Sequence, residues 1–231
     1  MLSDFVKNCG KVYGVAYNYK YPAAHPFMQL KEPAIFLKAP SDFITEGQPI
    51  VVNSQGYTLI EELTLGVVIG KTCKKVTVEN ALDYIGGYCV AFDMTALNEW
   101  KRFPKGTLDN VKNVRYVLPV SSFIPKETIP DPNNVELFAT INGKPQQSGK
   151  TSELAKRYPI RTTWEIFATI NGKLQQSGNT SQWVFSLAEL INFITQLYTL
   201  EPNDVVFGGT AATPGVIKAG DVIKEELRVV L

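Results

Sequence analysis

The sequence predicts a mixed α/β chain that is mostly strand, with few short helices. Three observations support this reading. Apolar runs of strand length, rich in β-branched and aromatic residues, recur at 11–19, 34–44, 60–71, 86–96 and 116–125. Turn signals separate many of them, among them NSQGYT at 53–58 and IPDPNN at 129–134. Apolar residues at helical spacing stand out only in SLAELINFITQL at 186–197, with a shorter capped stretch after Thr77.

A chain of 231 residues can bury a substantial core, and it reads as a single domain over 1–231. The formal net charge is +1, with 19% charged residues, which argues against binding to nucleic acid or to an anionic membrane surface. Cys9, Cys73 and Cys89 lie far apart, form no CxxC pair and are accompanied by one histidine. A zinc site and a disulfide scaffold are both disfavoured by that pattern. The opening MLSDFVKNCGK shows neither an apolar core segment nor an arginine-rich amphipathic presequence, and no apolar run nears the length of a membrane span. The expectation is a cytoplasmic protein, with mitochondria as the alternative compartment.

KVYGVAYNY at 11–19 reads as the first strand, followed by a long aromatic loop punctuated by Pro22, Pro26 and Pro33. That loop holds His25, the lone histidine, as a candidate acid–base residue; the other reading is a surface histidine between prolines. AIFLKAPSDFI at 34–44 is a second short strand, and it contains Lys38. The runs IEELTLGVVIGK at 60–71 and GGYCVAFDMTA at 86–96 read as buried strands, yet they carry Glu62 and Asp93. A carboxylate on a buried strand must be paired, hydrogen-bonded or bound to a cation. Mg²⁺ takes one or two carboxylates plus waters and substrate oxygens, so two strands each offering one acid suit such a site. The alternative puts both acids at strand ends, where they meet solvent or a lysine.

Thr77 opens the short helix between these strands, and Gly86 and Gly87 end it. LNEWKRFPKGTLDNVK at 97–112 reads as a polar loop, and YVLPVSSFIP at 116–125 as another apolar strand. ELFATINGKPQQSGKTS at 136–152 then recurs, nearly unchanged, as EIFATINGKLQQSGNTS at 165–181, an offset of 29 residues. Each copy is a hairpin with an Asn-Gly turn, and two copies are a duplication, not a solenoid, which needs at least three units. The second copy leads into the 186–197 helix, so it is expected in the core sheet, with the first copy and ELAKRYPIRTT as extra material. The tail gives a strand, a GGT turn at 208–210 and a last strand, without the spacing of a phosphate loop.

In this order FLKAPS, ELTLGVVIGK, ALDYIGGYCVAFDMTA, LPVSSFIPKETIPDP, NGKLQQSGNTSQWVFS, LEPNDVVFGGT and GDVI resemble the fumarylacetoacetate hydrolase family. The likeness is closest to its short acylpyruvase and oxaloacetate decarboxylase-like members. It implies a β-roll of mixed sheets, a homodimer, a Mg²⁺ or Mn²⁺ site, and hydrolysis or decarboxylation at a C–C bond of a small 2-oxo acid. It also implies Glu62 and Asp93 as metal ligands, with Thr64 standing where relatives carry a second glutamate, which weakens the site. Asn18 and Tyr19 match, but the lid histidine and glutamate positions read Pro22 and His25, and two arginine positions read Tyr17 and Leu97. Lys112, Gln176 and Thr210 match a lysine, a glutamine and a threonine that line the pocket. The resemblance thus implies Lys112 as catalytic and Gln176 and Thr210 as substrate-binding, while His25, the one group of the covering loop that titrates near neutral pH, remains the candidate catalytic base acting without its dyad partner. The substitutions leave a second expectation, a non-enzymatic homologue that has lost one ligand and the lid dyad.

Overall fold

The computed structural model describes residues 2–19, 30–50, 58–99, 108–113, 118–132, 135–141, 163–170, 173–210 and 214–230. In chain order the strands are β1 (Val12–Ala16), β2 (Ala34–Lys38), β3 (Phe43–Ile44), β4 (Leu59–Glu61), β5 (Leu63–Ile69), β6 (Ile85–Phe92) and β7 (Thr95–Ala96). They continue as β8 (Leu118–Pro119), β9 (Ile124–Pro125), β10 (Val135–Ile141), β11 (Thr163–Ile170), β12 (Lys173–Asn179), β13 (Val205–Thr210), β14 (Gly215–Val216) and β15 (Ile223–Val230). The expectation of a mostly-strand chain with short helices holds. No helix among the described residues is long and apolar enough to cross a membrane.

The central sheet has six strands in the order β2-β1-β13-β5-β6-β9; β1 runs parallel to β13, and every other neighbour is antiparallel. Both faces of this sheet are covered, which is why β5 and β6 read as continuous apolar runs and not as alternating ones. Leu63, Leu65, Val67 and Ile69 of β5 join Tyr88, Val90 and Phe92 of β6 in the larger core, against Leu187, Leu190, Ile191 and Ile194 of the helix Leu187–Leu197. Val68, Cys89 and Ala91 face the other way, packing with Phe5, Leu118 and Phe207. Side chains alternate along a strand, so Glu62 and Thr64 share the face of Val68, and Asp93 shares the face of Ala91. A slip of one residue would exchange Leu63 and Leu65 for Glu62 and Thr64 in the larger core. Each buried leucine is worth roughly 1.5–3 kcal/mol, so packing fixes the register that aims the acids.

The helix Leu187–Leu197 starts with a capping box, in which the Ser186 backbone N–H donates to Glu189 Oε2 at 2.7 Å and Ser186 Oγ accepts from the Glu189 N–H at 3.3 Å. The stretch after Thr77 is a 3-10 helix, Val78–Tyr84. Two expectations are corrected nearby. The segment read as a polar loop contains a short helix, Leu108–Lys112, and among the described residues of the run YVLPVSSFIP, 118–125, the strands are the dipeptides β8 and β9.

The duplicated hairpin departs further from expectation. Both copies contribute to one sheet, ordered β10-β12-β11-β15, with an additional β10–β11 pairing. β12, from the second copy, pairs antiparallel with β10 of the first copy, from Glu136↔Asn179 to Ile141↔Lys173. It meets its own copy's β11 at Leu174 and Lys173, opposite Thr169 and Ile170. The second copy lies in this sheet, and so does β10 of the first; the rest of the first copy and ELAKRYPIRTT up to residue 162 lie outside the described residues. Because the two first strands have nearly the same sequence, each can pair with β12, and the sequence carries nothing to choose between them.

Candidate active site

Glu62 lies between β4 and β5, and Asp93 directly follows β6. Leu63 pairs with Phe92, and the Asp93 N–H donates to the Glu62 carbonyl at 2.9 Å, which makes the two acids cross-strand neighbours on one face. Both reach the same atom. Lys112 Nζ is 2.7 Å from Asp93 Oδ2 and also donates to Glu62 Oε2. Lys38, the last residue of β2, places its Nζ 2.9 Å from Asp93 Oδ1 and donates to the carbonyls of Met94, at 3.1 Å, and Lys112. Thr95 Oγ1 donates to Glu62 Oε2 at 2.7 Å, and the Phe36 ring centre lies 5.1 Å from Lys112 Nζ, within cation–π range.

The helix that delivers Lys112 has five residues, too few to persist alone. Contacts with β2 hold it. The Leu37 N–H donates to Asp109 Oδ1 at 3.0 Å, Asn113 Nδ2 donates to the Leu37 carbonyl at 2.7 Å, and the Ala39 N–H donates to Asn113 Oδ1 at 3.0 Å. This docking also explains why the helix was illegible, since its stability is tertiary and its length too short for periodicity.

Burial alone would push the Asp93 carboxyl up, but the ammoniums of Lys112 and Lys38 outweigh it and hold the group below its ordinary value. For Lys112, burial acts downward and is overcome by Asp93 and Glu62, so its ammonium is held above the usual lysine range. At Lys38 burial wins over the attraction of Asp93 and lowers the value. By formal charge, two lysines face two acids in this cluster, and the charges cancel.

Thr64 is turned to β13 and not to the acids: its Oγ1 donates to the Gly209 carbonyl at 3.1 Å, and Thr64 pairs in register with Thr210. Gly209 has φ +96, and a Cβ there would come within 2.9 Å of Asn18 Cβ, so the strand passes close beneath Asn18 because it has no side chain. Asn18 itself is a structural tie. Its Nδ2 donates to the Gly208 and Phe185 carbonyls at 2.7 and 3.0 Å, and its Oδ1 accepts from the Phe185 N–H at 2.8 Å. Glu61 faces away from the cluster, accepts from the Gly215 N–H at 3.0 Å, and is pushed up to about 8 by burial.

Of the residues singled out from the sequence, the structure brings Glu62, Asp93 and Lys112 together and sets Thr64 beside Thr210. His25 lies outside the described residues, and so does the side chain of Gln176. Among the described residues no three of His, Cys, Asp and Glu gather so as to hold a metal ion. The point on which the two acids converge is taken by an ammonium, and the Thr64 hydroxyl donates to the Gly209 carbonyl and not to either acid. These donors, as arranged, match an ammonium and not a divalent ion. Lys38 and Thr95 are the site residues that sequence reasoning missed. A lysine inside the apolar strand AIFLKAP is the same kind of anomaly as the two acids, and it was the available signal.

The chain matches the family described as fumarylacetoacetate (FAA) hydrolase C-terminal over residues 11–159 and 155–229. It is 34% identical over 197 residues to the mitochondrial oxaloacetate tautomerase of Homo sapiens, covering 84% of this chain and 76% of that one. It is 34% identical over 226 residues to the mitochondrial oxaloacetate tautomerase of Caenorhabditis elegans, with 96% and 92% covered. The mitochondrial oxaloacetate decarboxylase of Dictyostelium discoideum is 30% identical over 227 residues, with 96% and 91% covered. Among solved structures, the fold is similar to 5-carboxymethyl-2-hydroxymuconate delta-isomerase of Mycobacterium smegmatis, with a TM-score of 0.73 at 23% identity, covering 95% and 74% of the chains. The family match, the identities and the shared mixed-sheet fold agree, and the chain belongs to the fumarylacetoacetate hydrolase family of enzymes.

Proposed function

We propose that the chain acts on a small 2-oxo acid and breaks or rearranges a bond beside its carbonyl through an enolate, as in oxaloacetate decarboxylation or acylpyruvate hydrolysis. The supporting observation is the convergence of Glu62, Asp93 and Lys112 where β5 and β6 begin and end, in a family whose matched relatives are described as acting on oxaloacetate. Loss of CO₂ from oxaloacetate leaves its electron pair on C3, delocalised onto the C2 oxygen as the enolate of pyruvate; removal of a C3 proton gives instead the enolate of oxaloacetate itself, with the same charge on the C2 oxygen and the C4 carboxylate retained. Both paths need positive charge beside that oxygen. An ammonium has three N–H donors; two of those on Lys112 face the acids, and we assign the third to the substrate oxyanion.

In this reading Glu62 and Asp93 aim the ammonium, Lys38 holds Asp93 from its other oxygen, and His25 is the candidate base. Gln176 and Thr210 are the candidate substrate contacts. Mg²⁺ or Mn²⁺ at Glu62, Asp93 and Thr64 would require Lys112 to withdraw. A homodimer, in the cytoplasm or in mitochondria as for the named relatives, completes the proposal.

The test is turnover of oxaloacetate and of an acylpyruvate in EDTA and in added Mg²⁺. Turnover that is lost in both Lys112→Ala and Glu62→Ala supports the reading. No turnover above the Glu62→Ala background in either buffer refutes it, in favour of a homologue that keeps the fold without the reaction. That second reading is favoured by one observation, the mutual cancellation of charge between the two lysines and the two acids.

A further inference from the structure

We propose that the Lys112 ammonium is the resident cation of this site, standing between Glu62 and Asp93 in the position a divalent ion would need. The inference concerns the cation alone and stands whether or not the proposed reaction occurs. It rests on where the donor atoms are committed. Asp93 gives Oδ2 to Lys112 and Oδ1 to Lys38, and Glu62 gives Oε2 to Lys112 and Thr95. Asp93 Oδ2 and Glu62 Oε2, the two oxygens on which the acids converge, both hold the ammonium, so a divalent ion bridging the acids at that point would displace it.

Charge opposes that exchange. With a divalent ion seated and both lysines still near, four positive charges would face two carboxylates in a buried setting, where like charges repel strongly. Among the described residues nothing adjacent supplies the missing negative charge. Thr64 is neutral and donates to Gly209, and Glu61 points to the opposite face, where it accepts from the Gly215 N–H. The ammonium, in contrast, closes the balance at zero and is steadied by the Phe36 ring. It follows that the folded site needs neither Mg²⁺ nor Mn²⁺. A ligand would meet a hydrogen-bond donor that binds one oxygen at a time, where a metal would chelate two.

The experiment measures Mn²⁺ binding to the full chain by electron paramagnetic resonance. The wild type should show no Glu62-dependent binding at millimolar Mn²⁺. Lys112→Met, which removes the ammonium and keeps a side chain of similar length, should acquire it, with affinity raised roughly tenfold or more, equivalent to about 1.4 kcal/mol, and Glu62→Gln in that background should abolish it. Stoichiometric Mn²⁺ on the wild type that Glu62→Gln removes would overturn the proposal, as would a folded Lys112→Met chain with no gain in binding. If Lys112→Met is not recovered folded, refolding yields are compared in Mn²⁺ and in EDTA. Recovery in Mn²⁺ alone supports the proposal, and equal failure in both overturns it.

Discussion

Lys38→Met is the perturbation that most directly tests how the site is built. The Lys38 ammonium neutralises Asp93 Oδ1 at 2.9 Å and satisfies the carbonyls of Met94 and Lys112, the latter at the end of the helix that presents the second ammonium. Removing one partner of a buried ion pair costs about 3–5 kcal/mol, because the other charge stays behind. Here Lys112 remains on Asp93 Oδ2 and blunts that term. Against this, two carbonyls lose their donor, at roughly 1–3 kcal/mol each, in a site where the losses are not additive. The working figure is a loss of about 4 kcal/mol, a large part of a native margin of about 5–15 kcal/mol. Urea denaturation followed by circular dichroism should therefore show a lowered midpoint with an unchanged slope. In a double-mutant cycle with Asp93→Asn, the combined loss should fall short of the sum of the two. A Lys38→Met loss below about 1 kcal/mol, or strict additivity with Asp93→Asn, would refute the picture of Lys38 as the anchor of Asp93 and of the Lys112 helix.

Two further outcomes are expected. The carboxyl of Glu61 has an ordinary value of 4.5 and is pushed up to about 8 by burial, so across that window the folded chain holds a proton that the unfolded chain releases. Stability should fall as pH rises from 4.5 toward 8 and level off above; Glu61→Gln removes this slope and gains on the order of 5 kcal/mol on the wild type across it. A difference between the two that is flat with pH would contradict the assignment. Deleting residues 142–170, one 29-residue repeat, joins Ile141 directly to Asn171 and should give a folded chain, because Ile141 already pairs with Lys173 as Ile170 does. Loss of a cooperative melt in that deletion would show that β11 is indispensable.

The central strands and the pair of acids were legible because buried apolar runs leave few alternatives, and a carboxylate within one stands out. The reading that strand-end acids meet a lysine was open from the sequence, and the family resemblance pointed to Lys112, but no local pattern in LNEWKRFPKGTLDNVK indicated how it arrives. Lys112 reaches the cluster only because Asp109 and Asn113 dock a five-residue helix on β2, and such contacts between residues more than 70 apart leave no local pattern. Lys38 was visible as an anomaly in an apolar strand, yet its role depends on the side of β2 it faces and on the carbonyls at its end. The altered position Thr64 was legible as a change of charge. Its partner, the Gly209 carbonyl, was not, because it comes from a strand 145 residues away.

The repeat shows the limit from another direction. β10 and β11 run parallel with Glu136 against Glu165, Phe138 against Phe167 and Thr140 against Thr169, so their register reproduces the 29-residue offset of the duplication itself. β10 pairs antiparallel with β12, and β11 pairs antiparallel with β15, from Thr163↔Val230 to Ala168↔Glu225. A single such strand has two edges, and in an unduplicated chain it could serve β12 on one and β15 on the other. The second copy is then one strand set in beside its twin, with the orientation of both neighbours unchanged and about 4.8 Å added to the width of the sheet. This sheet holds none of Glu62, Asp93, Lys38 or Lys112, all of which sit on or beside the six-stranded sheet. The duplication can therefore be absorbed without moving the charged cluster, and the same equivalence that makes it tolerable is what hides, in the sequence, which copy pairs with which strand.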